Sequence, residues 1–242
     1  DFFDFCLSID GATYIELAGA VPVAKCWRGH MNKKNVINIS ALIESRDSST
    51  GKHVFRVSRY TKLIVAEMKK LGYYSDILTK NYIKELVKFA SLHDIGKIFI
   101  PDSILTKPDK LTEEEFEIMK RHTQLGGEIV LSLIGKRQRE MAYNIVVYHH
   151  EKWNGKGYPM GLSGEETPLC ARIVAIADVF DAISADRCYR KAMPLEECFD
   201  IIERGIGSDF DPIAAEAFLE AREEAERVHT EFSDKEVQNA SD

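Results

Sequence analysis

The chain of 242 residues has no apolar run long enough to span a bilayer. The stretch from Phe2 to Val23 is interrupted by Asp4, Asp10, Glu16 and Pro22 and reads as neither a membrane helix nor a signal peptide. Excess positive charge is also missing. A formal net charge of −7 argues against a surface that tracks a nucleic-acid polymer, while leaving room for a small anion in a locally basic pocket. Cysteine is scarce and unpatterned: Cys6, Cys26, Cys170, Cys188 and Cys198 are odd in number and lack CxxC spacing. That excludes a zinc knuckle and a disulfide framework and suits a reducing, cytoplasmic setting. Repeats and low-complexity tracts are lacking, and so is an initiator Met, from which residue 1 is expected to be a cut point in a longer protein. What is present, 45% hydrophobic and 29% charged residues, suffices for one sizeable core plus an appendage.

The hydrophobic pattern predicts an all-α fold. Residues 1–35 are poorly patterned and read as a remnant of an upstream sensory or regulatory module, residues 36–221 as the main domain, and residues 222–242 as a charged tail that frays. Val36 to Ser45 has apolar residues at helical spacing, with Ile39, Leu42 and Ile43 among them. His53 to Leu71 is a long amphipathic helix ended by Gly72, and Lys80 to His93 is the next. Thr112 as N-cap with Glu115 three residues later starts a helix expected to run through His122 to about Ile134. Arg137 to His150 follows, then the glycine-rich loop Trp153 to Pro159. Helices open at Pro168, running through Arg187, and at Pro194 and Pro212.

Polar residues fall where a core is expected. His53 extends the stripe Val57, Tyr60, Ile64, Met68 and Leu71 by one turn, and His93 lies on the stripe of Leu86, Phe89 and Ala90. His122 shares a face with Met119, Leu125 and Ile129, and Asp178 with Ala171, Val174, Ala175 and Ala182. His149 and His150 sit together at a helix end, and Asp94 follows His93 directly. One histidine on an apolar face is more often a hydrogen-bonded core residue than a ligand. His53, His93, Asp94, His122, His149, His150 and Asp178 on five segments would need five unrelated structural reasons. Two metal ions sharing a bridging carboxylate need about this many nitrogen and oxygen ligands.

In its motifs the sequence resembles the HD-GYP family, a branch of the HD metal-dependent phosphohydrolases that act as cyclic di-GMP phosphodiesterases. The resemblance runs from about Val36 to Leu219 and rests on His93-Asp94-Ile95-Gly96-Lys97, on His149-His150-Glu151, and on Gly155-Lys156-Gly157-Tyr158-Pro159. Ile176-Ala177-Asp178 with Asp181, Asp186-Arg187, Tyr189-Arg190 and Phe210-Asp211-Pro212 complete the ordered set. It implies an HD-superfamily helical bundle with a dinuclear metal site in its core. The seven residues above would be the ligands, Asp94 bridging, and Lys97, Tyr158, Arg187 and Arg190 would meet the phosphates and guanine of the substrate. Lys97 carries its charge next to the ligand pair, Arg187 and Arg190 are three apart, and the glycines before Tyr158 allow its ring to be presented for stacking.

One position departs from the pattern. Proteins of this type often place a Glu four residues before the first ligand histidine, where it goes with a third metal, and here that position is Ser49. A two-metal site is therefore expected rather than three, holding iron or manganese, with zinc as a further option. The reaction implied is hydrolysis of cyclic di-GMP to linear pGpG or GMP by a hydroxide held between the ions, with Asp94 and Lys97 as the catalytic pair. No serine, cysteine or histidine is placed as a covalent nucleophile. Two competing readings are a module that binds a cyclic dinucleotide or a diguanylate cyclase domain without turnover, and an HD enzyme for another nucleotide such as the mixed guanine-adenine cyclic dinucleotide. A homodimer is a further association to consider.

Overall fold

The computed structural model describes residues 33–47, 52–186 and 191–232. Among them there is no sheet, and eleven α-helices with short 3-10 turns build the fold. In chain order they are α1 (Lys33–Glu44), α2 (Lys52–Lys70), α3 (Lys80–Phe89), α4 (Asp102–Leu105), α5 (Glu113–Lys120) and α6 (His122–Leu133). Then come α7 (Lys136–Tyr148), α8 (Leu169–Ser184), α9 (Leu195–Arg204), α10 (Pro212–Glu220) and α11 (Arg222–Glu231). The expected all-α bundle is therefore present.

Helix α2 is the axis of the bundle. It packs against α1, α3, α8, α10 and α11, and it buries Val54, Val57, Tyr60, Ile64, Val65 and Met68 on more than one face. Leu71, expected on that stripe, is exposed because the chain turns away after Lys70. In the same way Leu42 of α1 faces solvent, while Val36 and Ile43 enter the core. Tyr60 of α2 meets Phe180 and Phe218 edge-on, Phe199 stacks on Phe218, and Phe180 lies 4.8 Å from both Phe199 and Phe218. Aromatic packing of this type adds to the apolar area removed from water.

Local chemistry accounts for the helix ends. Thr112 and Glu115 form the expected capping box, the Thr112 N–H donating to the Glu115 carboxylate at 2.8 Å and the Glu115 N–H to the Thr112 hydroxyl at 3.2 Å. Asp211 caps α10 by accepting from the N–H groups of Ile213 and Ala214, just before Pro212. Its other oxygen pairs with half-buried Arg172, which ties α10 to α8.

Three expectations are corrected. The Thr112 helix does not run on through His122; it breaks at Arg121 and restarts as α6, so the buried face becomes His122, Thr123, Gly126, Gly127 and Val130 rather than Met119, Leu125 and Ile129. The helix opened by Pro168 ends at Ser184, not Arg187. The stretch from Arg222 does not fray at once: α11 buries Ala225 and Val228 against the core, and its charges occupy the other faces. The expectations for residues 1–32 and for Ser49, Arg187 and Arg190 lie outside the described residues. Phe180→Ala should destabilise the protein by about 3–5 kcal/mol, measured by urea unfolding at equilibrium, since the ring is wholly buried among others that cannot close the gap.

Candidate metal centre

The seven expected ligand residues converge. His53 comes from the first turn of α2, His93 and Asp94 from the turn after α3, His122 from the start of α6, His149 and His150 from the end of α7, and Asp178 from the middle of α8. All but His150, which is half-buried, are buried.

The ring nitrogens are sorted by their hydrogen bonds. His93 Nδ1 lies 2.9 Å from the carbonyl of Ala90, His122 Nδ1 2.7 Å from that of Met119, and His149 Nδ1 3.0 Å from that of Val146. His53 Nδ1 lies 2.6 Å from the Asp181 carboxylate. Carbonyl and carboxylate oxygens only accept, so each Nδ1 carries a proton and donates, which leaves each Nε2 turned to the centre. Three of the four orienting groups are carbonyls one helical turn back, a geometry the local backbone supplies unaided.

Several inward atoms then lack a protein partner. Asp94 Oδ1, His122 Nε2 and His149 Nε2 are buried and hydrogen-bond to no described residue. His53 Nε2 and His93 Nε2 stand 3.1 Å apart. Two imidazole lone pairs at that distance need a proton or a cation between them. Burial works to lower the pKa of His93, but the carboxylates of Asp94 and Asp178 outweigh it and hold the pKa well above the ordinary value. Burial, with His150 next to it, depresses His149, and burial with His122 brings His150 down to about 3. Near neutral pH the rings of His149 and His150 are thus uncharged and can donate lone pairs to a cation.

Asp94 faces both ways. Its Oδ2 lies 3.3 Å from His93 Nε2 and 2.8 Å from Lys97 Nζ, and its Oδ1 lies 3.2 Å from His122 Nε2 and 3.8 Å from His149 Nε2. Burial opposes ionisation of Asp94, yet the Lys97 ammonium and His93 hold its carboxyl well below the usual range. Two groups of potential ligands result, Asp94 with His122, His149 and His150, and Asp94 with Glu44, His53 and His93, each with one donor atom per residue within 4.8 Å of the others. Asp178 Oδ1 joins the second group at 3.5 Å from His53 Nε2 and 3.4 Å from His93 Nε2. Orphaned buried acceptors of nitrogen and oxygen type, arranged around a shared carboxylate, fit a pair of divalent cations.

Of the residues expected at the substrate, Lys97 stands beside Asp94, and Tyr158 stacks on His150 with centroids 4.6 Å apart. The Tyr158 ring also meets Phe116 edge-on at 6.0 Å, and Lys120 Nζ lies 5.9 Å from its centroid. Gly157 makes this possible: a Cβ there would lie 2.5 Å from the His150 carbonyl oxygen. The loop is held by Glu151, whose buried carboxylate accepts from the N–H groups of Met160, Gly161 and Leu162. Gly96 has a comparable role beneath the centre, where a Cβ would lie 1.9 Å from the His122 carbonyl oxygen, so only glycine lets the Asp94 turn rest on α6.

Behind the ligands stands a layer of which the sequence motifs included Asp181 without a role and left out Arg56. Asp181 receives, besides His53, the Nε of Arg56 at 2.5 Å and its Nη2 at 3.0 Å. Burial raises the pKa of Asp181, but His53 and Arg56 together bring it below the ordinary value. The signal was available as spacing: Arg56 follows His53 by three residues and Asp181 follows Asp178 by three, one helical turn in each case.

A family model described as HD domain matches residues 39–213. The chain is 42% identical over 205 residues to a cyclic di-GMP phosphodiesterase of Vibrio cholerae serotype O1, covering 82% of this chain and 41% of that protein. It is 37% identical over 204 residues to 3'3'-cGAMP-specific phosphodiesterase 2 of the same organism, covering 84% and 37%. The chain thus spans about two fifths of the length of these curated relatives. The structure of Bd1817, an HDG"Y"P protein from Bdellovibrio bacteriovorus, matches with a TM-score of 0.54 at 20% identity, covering 79% of this chain and 62% of that one, which speaks to the fold alone.

Asp181→Asn should weaken divalent-cation binding by about 10–100-fold, measured by isothermal titration, because the amide can offer its NH2 to His53 Nδ1 and release the ring from its tautomer. Affinity equal to that of the native protein would show that the His53 ring needs no such orientation.

Proposed function

The chain belongs to the HD domain family, and from that membership we propose that it is a metal-dependent phosphodiesterase that hydrolyses cyclic di-GMP to linear pGpG or GMP. The observation that carries this reading is the pair of ligand groups sharing Asp94. His53, His93, Asp94 and Asp178 would hold one cation, and Asp94, His122, His149 and His150 the other. Iron or manganese is the expected metal, with zinc as the further option. Such ions, when bound, lower the pKa of water and neutralise charge on a phosphoryl group.

The protein's own groups do the rest. Lys97, 2.8 Å from Asp94 Oδ2, presents its ammonium at the edge of the centre, where it can take a non-bridging phosphate oxygen and hold the diester in line for attack. Tyr158 offers a ring face beside His150, and Arg187 and Arg190 supply cations three residues apart for the second phosphate and a guanine edge. No helix among the described residues is long and apolar enough to cross a membrane. Cys170 and Cys198 are buried and not joined in a disulfide, in keeping with a reducing, cytoplasmic setting.

A second reading, hydrolysis of 3'3'-cGAMP, is favoured by the likeness to the cGAMP-specific relative. Both are tested together by incubating metal-loaded protein with each cyclic dinucleotide and separating the products. Cyclic di-GMP is expected to turn over faster, and His93→Ala and Asp94→Ala should each bring turnover below detection. An Asp94→Ala variant with near-native hydrolysis would overturn the reading, and faster turnover of 3'3'-cGAMP would move it to the second substrate.

A further inference from the structure

Glu44, the last residue of α1, holds a carboxylate that no motif asked for. It is 2% exposed, and one of its oxygens lies within 4.8 Å of donor atoms on His53, His93 and Asp94. A carboxylate so deep costs several kcal/mol unless cations or hydrogen-bond donors compensate it.

Its placement is enforced by Arg46, two residues on. Arg46 Nη1 donates to the carbonyls of Lys97 at 3.2 Å and Ile98 at 2.9 Å, and Nη2 donates to that of Ile100 at 3.2 Å and to Asp102 Oδ1 at 2.7 Å. Those carbonyls belong to the turn that begins directly after Asp94. The end of α1 and the turn bearing His93 and Asp94 are therefore joined as one unit, with Val36 and Ile43 anchoring α1 in the core behind. Glu44 is thus carried to the His53 and His93 side by tertiary contacts that would be hard to explain for a surface helix end.

Charge points the same way. On that side the buried carboxylates of Glu44, Asp94, Asp178 and Asp181 face the permanent cations of Lys97 and Arg56. A divalent ion is a natural counter-charge for carboxylates gathered around two imidazoles.

We propose that Glu44 is a metal ligand on the His53 and His93 side, so that the two cation positions are unlike. One offers the carboxylates of Glu44, Asp94 and Asp178 with two imidazoles; the other offers Asp94 with three imidazoles. The carboxylate-rich position favours a hard ion such as Mn2+, and the imidazole-rich position favours Zn2+. The number of ions stays at two. This inference rests on the metal-centre reading above, and its test does not use hydrolysis.

The experiment is titration of the chelator-stripped protein with Mn2+, followed by calorimetry and by the electron paramagnetic resonance of the free ion, for the native chain, Glu44→Gln and Glu44→Asp. The native chain is expected to take two ions. Glu44→Gln should weaken one of them roughly tenfold or more and leave the other unchanged, and Glu44→Asp, which keeps the charge, should fall between. Thermal unfolding of the stripped forms separates lost binding from lost folding, and Glu44→Asp carries the test if the glutamine variant fails to fold. Native affinity at both positions in a folded variant overturns the proposal while leaving the metal centre intact. Failure of the native chain to bind any Mn2+ or Zn2+ overturns the metal centre itself.

Discussion

A single buried carboxylate governs the arrangement. Asp94 turns one oxygen toward His93 and Lys97 and the other toward His122 and His149, and nearly every element of the bundle is placed so that this can happen. Removing a carboxylate from water is unfavourable by several kcal/mol unless positive charge compensates it. Lys97, three residues on, compensates part of it. The other oxygen hydrogen-bonds to no described residue and faces imidazole nitrogens that cannot donate to it, a chemistry that fits a shared cation.

The surroundings hold that arrangement in place. Four histidine rings are held with Nδ1 on an acceptor, three through carbonyls one turn back and one through Asp181. The Asp94 turn rests directly on α6 because residue 96 has no side chain, and the Tyr158 loop folds back over His150 because residue 157 has none. Arg46, Arg56 and Arg172 each satisfy more than one polar group and link segments far apart in the chain, and Glu151 satisfies three N–H groups of its own loop. The hydrophobic core around α2, with its cluster of aromatic rings, supplies the rigidity that such a network needs.

Much of this was legible in the sequence. The helical period located the elements, the capping box at Thr112 and Glu115 was readable from side chains that act within three residues, and the seven ligand candidates fell on inward faces because a 3.6-residue period maps spacing onto direction. Less legible were features decided by tertiary contact. The helix breaks at Arg121, and the fully buried neighbours of His122 are Thr123, Gly126, Gly127 and Val130, with Ile129 only partly buried. The charged stretch after Arg222 forms a helix because two small apolar residues, Ala225 and Val228, find the core. Glu44 escaped notice because it closes a helix and is brought inward by the contacts of Arg46 with a turn some fifty residues away, which no local pattern records.

The central claim is that two cations share Asp94. The most direct test is the electron paramagnetic resonance spectrum of the protein fully loaded with Mn2+. Two manganese ions bridged by a carboxylate should give an exchange-coupled spectrum in the native chain, and Asp94→Ala should abolish the coupling. A fully loaded native protein that shows only the six-line signal of isolated manganese would contradict the account.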